Sequence, residues 1–338
     1  MAATLETVAK KAGVSVSAVS KALRGRSNIG EATKRKIDQV ARQLRYRPNA
    51  SARALASGRT ETIGVVIREL NYLSDSYFGT ILSGIAKVSD QNDMGLIFGR
   101  SLPEKRQEPE FLRMAMEARV DGMIIIDQVI PKKHLSRLAD MRFPVVLVDQ
   151  QIPGLSLPVV RINYQKVARQ AASHLIGLGH RRIAVFSGVQ GKYKFRAEIE
   201  GVKEAFGRGG LGFDETLLVT GEDGFMYAGA YQHVERMLRT AEPPTAFLTF
   251  TNGATAAVHH YARLAGLRVP EDISIAGFYS GGPEMTDIRP DFQVPTHEAG
   301  VRSCQLVMDL VAGQVSTSEI VLEASFDPRN GCGRSAGL

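Results

Sequence analysis

The chain has 338 residues, a formal net charge of +7 and 44% hydrophobic residues, which excludes a disordered polyelectrolyte and allows two or three folded domains. No apolar run is long enough to span a bilayer, residues 1–30 lack the apolar core of a signal peptide, and Cys304 and Cys332 are the only cysteines. A membrane protein and a disulfide scaffold are therefore excluded, and a reducing cytoplasm is the expected compartment. The charge is unevenly divided. Residues 1–60 hold 13 Lys and Arg against Glu6, Glu31 and Asp38, a balance of +10, whereas the remainder carries 29 bases and 32 acids, a balance of −3. A basic head on a near-neutral body points to a polyanionic partner for the head alone.

Thr4–Leu23, TLETVAKKAGVSVSAVSKAL, reads as two short helices around a tight turn. Leu5, Val8, Ala9 and Ala12 form one apolar stripe of 3.6-residue period. Gly13 ends the first helix, and Ser15 is the natural N-cap of the second. In that second helix Val19 and Leu23 face one way, while Val16, Ser17 and Lys21 face another with no local need for burial. An ordinary helical hairpin has this pattern too. The excess charge on the same segment favours the motif whose second helix enters the major groove of DNA. A third helix is expected over 31–44, with Gly30 as N-cap and Ile37, Val40, Ala41 and Leu44 closing a three-helix core. Pro48 ends this unit. Asn49–Ala56 is an Ala-rich helix former between Pro and Gly, too short to be stable alone. It reads as a hinge that becomes helical when something orders it.

From Ile63 onward strands and helices alternate. Strands are expected at 62–67, 95–98, 122–126, 144–148, 182–186, 217–219, 245–250 and 272–278. Between them helical stretches are expected, such as 77–89, 108–119, 166–178, 196–207, 227–239 and 254–265. This rhythm is that of a doubly wound parallel α/β sheet. There are too many strands for one compact sheet and the pattern restarts near Val160, so we expect two lobes with a ligand cleft at the C-terminal ends of their strands. The tail after about Asn330 lacks periodicity and reads as frayed.

These residues also carry a family resemblance. TLETVAKKAGVSVSAVSKAL, LRYRPNASARALASGRTETIGVVI, VDGMII, HLIGLGHRRIAVFSG, PTAFLTFTN and VPEDISIAGF, in that order, resemble the LacI/GalR (lactose-repressor) family of bacterial transcription regulators over nearly the whole chain. The resemblance implies a helix-turn-helix DNA-binding domain (1–48), a hinge helix and linker (49–60), and an effector-binding core (61–330) resembling periplasmic sugar-binding proteins. The N-lobe would comprise about 61–161 and 292–322, the C-lobe about 162–291 and 323–330, leaving a tail at 331–338. It implies a repressor bound as a homodimer to a pseudopalindromic operator and controlled by a small molecule, with no cofactor, no metal and no catalytic residues.

By position in that family, Val16, Ser17 and Lys21 touch base edges, and Thr4, Ser15, Ser20 and Asn28 touch phosphates. Asn49, Ala52 and Leu55 lie on the hinge, where the Leu wedges into the minor groove. The effector positions are Tyr77, Phe78, Asp149, Asn163, Arg196, Glu198, Asn252 and Tyr279. Here the chain departs from its relatives. Glu198 stands where many have an Arg three residues before Gly201, Thr251-Asn252 replaces Asn-Asp, and Tyr279-Ser280 replaces Asp-Asp. The expected effector is a sugar, or a sugar phosphate or sugar acid held by Arg196 with Lys192 or Lys194; an amine paired with Glu198 is the alternative. The run GRGGLG at 207–212 matches G-x-G-x-x-G but follows a helix and precedes a strand, the wrong order for a dinucleotide loop. His259 and His260 are helix neighbours that diverge, and no metal-ligand spacing is present. The other functional readings are an α/β enzyme, or a sugar-binding protein, with a fused DNA-binding module.

Overall fold

A computed structural model describes residues 3–23, 29–46, 54, 57–67, 76–101, 108–126, 130–150, 152–221, 227–278, 291–314, 318–328 and 331–335. The chain forms two compact units that divide between Glu61 and Thr62.

In the first unit, helices α1 (Leu5–Ala12), α2 (Val16–Leu23) and α3 (Glu31–Gln43) enclose Val8, Ala9, Ala12, Val19, Ala22, Ile37, Val40 and Ala41. Thr4 caps α1 reciprocally with Thr7: each donates its backbone N–H to the other's hydroxyl, at 2.7 and 3.3 Å. Gly13, at φ +67, supplies the left-handed C-cap, and its N–H reaches Ala9 O. Ser15 Oγ then accepts from Ala18 N at 3.1 Å and starts α2.

The second unit holds two parallel sheets. The first sheet is built from β1 (Thr62–Ile67), α4 (Ser76–Gln91), β2 (Gly95–Arg100), α5 (Glu110–Met116), β3 (Gly122–Ile125), α6 (Lys132–Asp140), β4 (Val145–Val148) and β5 (Val159–Ile162). The chain then runs through α7 (Tyr164–Gly177), β6 (Ile183–Ser187), α8 (Tyr193–Arg208), β7 (Leu218–Thr220), α9 (Tyr227–Leu238), β8 (Ala246–Thr249), α10 (Asn252–Leu264) and β9 (Ser274–Gly277) to form the second. It ends with β10 (Phe292–Gln293), α11 (Thr296–Val311), β11 (Glu319–Leu322) and β12 (Ser325–Phe326). The strand orders are β11-β5-β4-β3-β1-β2 and β7-β6-β8-β9, with β10 and β12 a small antiparallel pair.

The central strands of both sheets are buried on both faces, and the period-2 alternation of strand side chains separates the faces. Ile63, Val65, Ile67, Ile124, Val146 and Val148 pack with α4 and α11, whereas Val66, Met123, Ile125, Val145 and Leu147 pack with α5 and α6. In the second sheet Ile183, Val185, Ala246 and Leu248 meet α7 and α8, and Ala184, Phe186, Phe247 and Ile275 meet α9 and α10. The helix pairs approach to backbone contact. A Cβ on Gly84 would stand 2.1 Å from His297 O, and one on Gly201 would stand 2.1 Å from Gln165 O. Gly201 thus sets α8 against α7 one turn beyond Glu198.

Three sequence expectations change. Strands β5 and β11 and the pair β10/β12 were not expected; they are short and lack a bounded apolar run. Helix α8 begins at Tyr193 and α7 at Tyr164, earlier than the expected 196 and 166. The tail is docked through residue 335: Ile275 N donates to Gly331 O at 2.6 Å, Ser335 N to Leu178 O at 3.0 Å, and Gly333 N to Ser274 Oγ at 2.9 Å. His180, wedged against Thr245 and Ser274 Oγ and 3.0 Å from Gly333 O, anchors that segment. Periodicity could not reveal this, because the tail is held by backbone bonds rather than by an apolar stripe.

Candidate functional site

Helix α2 separates its two faces cleanly. Val19 and Ala22 are buried, while Val16 is 42% exposed and Ser17 and Lys21 are exposed. At 100° per residue, positions 16, 17, 20 and 21 share one arc and 19 and 22 the opposite one. The exposed arc thus presents a Val, a Ser and a Lys. Thr4 and Ser15 are exposed, and their hydroxyls form the caps of α1 and α2. Asn28, Asn49, Ala52 and Leu55 lie outside the described residues, as does Tyr279. Gly58, at φ +69, donates its N–H to Ala54 O.

The second group of residues gathers at strand ends. In each sheet the order reverses beside the first strand (β2-β1-β3 and β7-β6-β8), and such switch points open a crevice at the carboxyl ends of the strands. Asp149 follows β4, is fully buried and sits at φ +48. Its Oδ2 accepts from Tyr77 Oη at 2.6 Å and Tyr164 Oη at 2.8 Å, and its Oδ1 from Ile162 N at 2.8 Å. Tyr77 opens α4 and Tyr164 opens α7, so one carboxylate ties a helix of each sheet. Phe78 packs edge-on to Tyr77 at 5.2 Å. Asn163 caps α7, accepting from Lys166 N at 3.2 Å, and its amide donates to Glu323. Asn252 is the first residue of α10, whose cap is Thr251.

Glu198 on α8 is 1% exposed. Its Oε2 accepts from Ser187 Oγ at the end of β6 at 2.6 Å. Its Oε1 lies 3.0 Å from Lys194 Nζ as an ion pair, yet no hydrogen bond is aligned onto that oxygen. Lys194 Nζ also donates to Phe250 O at 2.9 Å and stands over the rings of Tyr164 (5.4 Å) and Phe278 (5.9 Å). Burial raises the carboxyl pKa of Glu198, opposed by the Lys194 charge and the Ser187 hydroxyl. Burial likewise raises that of Asp149, opposed by its bonds from Tyr77, Ile162 and Tyr164. The Tyr164 phenol is pushed well above its ordinary value by burial and by Asp149. Two buried carboxyls so raised subtract stability as pH climbs past the usual carboxylate range, because the native state then holds protons that the unfolded chain has released.

Arg196 is not part of this cluster. Residues 193–196 are the first turn of a helix rather than a loop, so only Lys194, four residues before Glu198, shares its face. Arg196 points 200° away from Glu198 around the helix; it is exposed and donates to Gly191 O at 2.8 Å. Lys192 occupies the N-cap position. Sequence reasoning missed Ser187, Phe250 and Phe278 as contributors. Their signal was available, since each ends or follows a parallel strand on the ligand side.

Comparisons with known proteins agree with this anatomy. Residues 4–49 match "Bacterial regulatory proteins, lacI family", and residues 60–319 match "Periplasmic binding proteins and sugar binding domain of LacI family". Catabolite control protein A of Priestia megaterium is 30% identical over 325 residues, covering 95% of this chain and 96% of that protein. The HTH-type transcriptional repressor CytR of Escherichia coli (strain K12) is 27% identical over 319 residues, covering 93% and 91%. Among solved structures, the lac repressor dimer bound to operator and the anti-inducer ONPF superposes with a TM-score of 0.84 at 22% identity, over 98% of this chain and 99% of that one. A complex of the transcriptional regulator CelR with cellobiose gives 0.70 at 25%, over 97% and 99%. Among the described residues no helix is long and apolar enough to cross a membrane.

Proposed function

The chain belongs to the LacI family of bacterial transcriptional regulators, not to an enzyme family, and we propose that it is a repressor that binds a pseudopalindromic operator as a homodimer. The observation that carries this reading is the outward display of Val16, Ser17 and Lys21 on α2. Lys21 suits guanine O6/N7, Ser17 suits several base edges, and Val16 suits a thymine methyl. Ser20, Thr4, Ser15 and Asn28 would approach phosphates, with Asn49, Ala52 and Leu55 on the hinge in the minor groove. Two copies could meet along β2, an edge strand whose Phe98 is 42% exposed. The units would divide as helix-turn-helix head, hinge and two-lobed core.

The effector would enter the crevice at the ends of β4, β6 and β8, among Tyr77, Phe78, Asp149, Glu198, Asn252 and Tyr279. The similar regulator CelR was solved in complex with cellobiose, which supports a small hydroxylated molecule here. An anionic effector loses its support, because Arg196 faces outward and Lys194 is engaged by Glu198 and Phe250 O.

Selection of operators from random duplexes tests the reading. It should return two related half-sites, and binding should weaken steeply with salt as Lys and Arg displace condensed counterions. A flat salt dependence, or a single unpaired half-site with monomeric protein in sedimentation, would refute it.

A further inference from the structure

Lys194 occupies a place built for a cation. Its Nζ is bounded by the buried Glu198 carboxylate at 3.0 Å, the Phe250 carbonyl at 2.9 Å and the faces of Tyr164 and Phe278 at 5.4 and 5.9 Å. A carboxylate, a carbonyl and two aromatic faces around one point are the complement of an ammonium group. The walls are fixed independently of the lysine. Ser187 holds Glu198, Asp149 holds the Tyr164 hydroxyl, and Phe250 is 4% exposed in the core. The lysine, by contrast, is 23% exposed on a flexible four-carbon stem, so its head can turn to water when another ammonium takes over its ion pair and its bond to Phe250 O.

We propose that this box is an ammonium subsite of the crevice, filled in the ligand-free protein by the chain's own Lys194. The effector is then a small hydroxylated molecule bearing a primary ammonium, which takes Glu198, Phe250 O and the two rings while Lys194 swings out. The proposal rests on the reading of the crevice as the effector site.

The full-length Lys194→Ala variant vacates the box, and three size-matched probes ask what it accepts: n-propylammonium chloride, sodium propionate and 1-propanol. Propylammonium alone should raise the thermal midpoint of the variant, by about 3 °C at a tenfold excess over its Kd, and should leave wild type nearly unchanged. If the variant does not fold unaided, it is refolded with each probe, and recovery with propylammonium alone is the same result. Stabilisation by propionate, or no distinction among the three probes, overturns the proposal. Lys194→Met keeps the stem volume without the charge and should ignore all three; its stabilisation by propylammonium would also overturn it. Operator binding separates the two levels. If propylammonium stabilises Lys194→Ala without altering its operator affinity, the ammonium subsite stands and the effector reading of the crevice fails.

Discussion

The reading head and the crevice solve opposite problems. On α2 the side chains proposed to read DNA are exposed, while the buried Val19 and Ala22 fix the helix. In the crevice Asp149, Glu198 and Tyr164 are buried, Lys194 is half-buried against Glu198, and these side chains bind one another, so the proposed recognition would share its atoms with stability. The head can therefore change its specificity at little cost to its fold. A change in the crevice disturbs packing, protonation and recognition together.

The separation can be broken most forcefully from inside the head. Val19→Asp buries an unpaired carboxylate and should destabilise the first unit by about 4 kcal/mol. Amide exchange in α1 to α3 should then become fast while β1 and β3 stay protected, and equal loss in both would show that the units do not fold separately. Next comes Gly201→Ala, whose Cβ would meet Gln165 O at 2.1 Å. Spreading α7 from α8 should cost about 3 kcal/mol in the urea midpoint of the core, with operator-independent folding of the head intact.

Lys21→Ala should cost about 2 kcal/mol, or about 30-fold, in affinity for a selected operator, with no change in the melting of either unit. A stability loss there would mean that the exposed face of α2 also serves the fold. The smallest effect concerns pH. Burial lowers His259 from 6.5 to about 4, so the folded state resists a proton that the unfolded chain accepts. Its contribution to stability is complete above pH 6.5 and is lost as pH falls toward 4. His259→Gln should therefore lose about 1 kcal/mol less than wild type on going from pH 7 to 5.5. Residues 1–60 contain no histidine, so the head has no imidazole counterpart of this effect.

Legibility in the sequence follows the same division. The stripe Leu5, Val8, Ala9 and Ala12, the stop at Gly13 and the cap at Ser15 are local, and each stands in the structure where its spacing placed it. The βα rhythm of the core was legible for the same reason, since buried parallel strands are continuous apolar runs. Arg196 misled because the helix start was set three residues too late; moving it to Tyr193 turns Arg196 to solvent and Lys194 inward. The docked tail and the β10/β12 pair were invisible, as backbone hydrogen bonds leave no mark on side-chain pattern.

The sequence by itself determined the three-helix head, its basic charge, the family and the alternation that builds two parallel sheets. These depend on contacts within a few residues or on composition. Only the tertiary structure decided that Ser187, Lys194, Glu198, Phe250 and Phe278 converge, and that Tyr77 and Tyr164 share Asp149. Those residues come from different elements, and what brings them together is the order of strands in the sheets and the close crossing at Gly201. Neither is written in the spacing of the residues that the crossing unites.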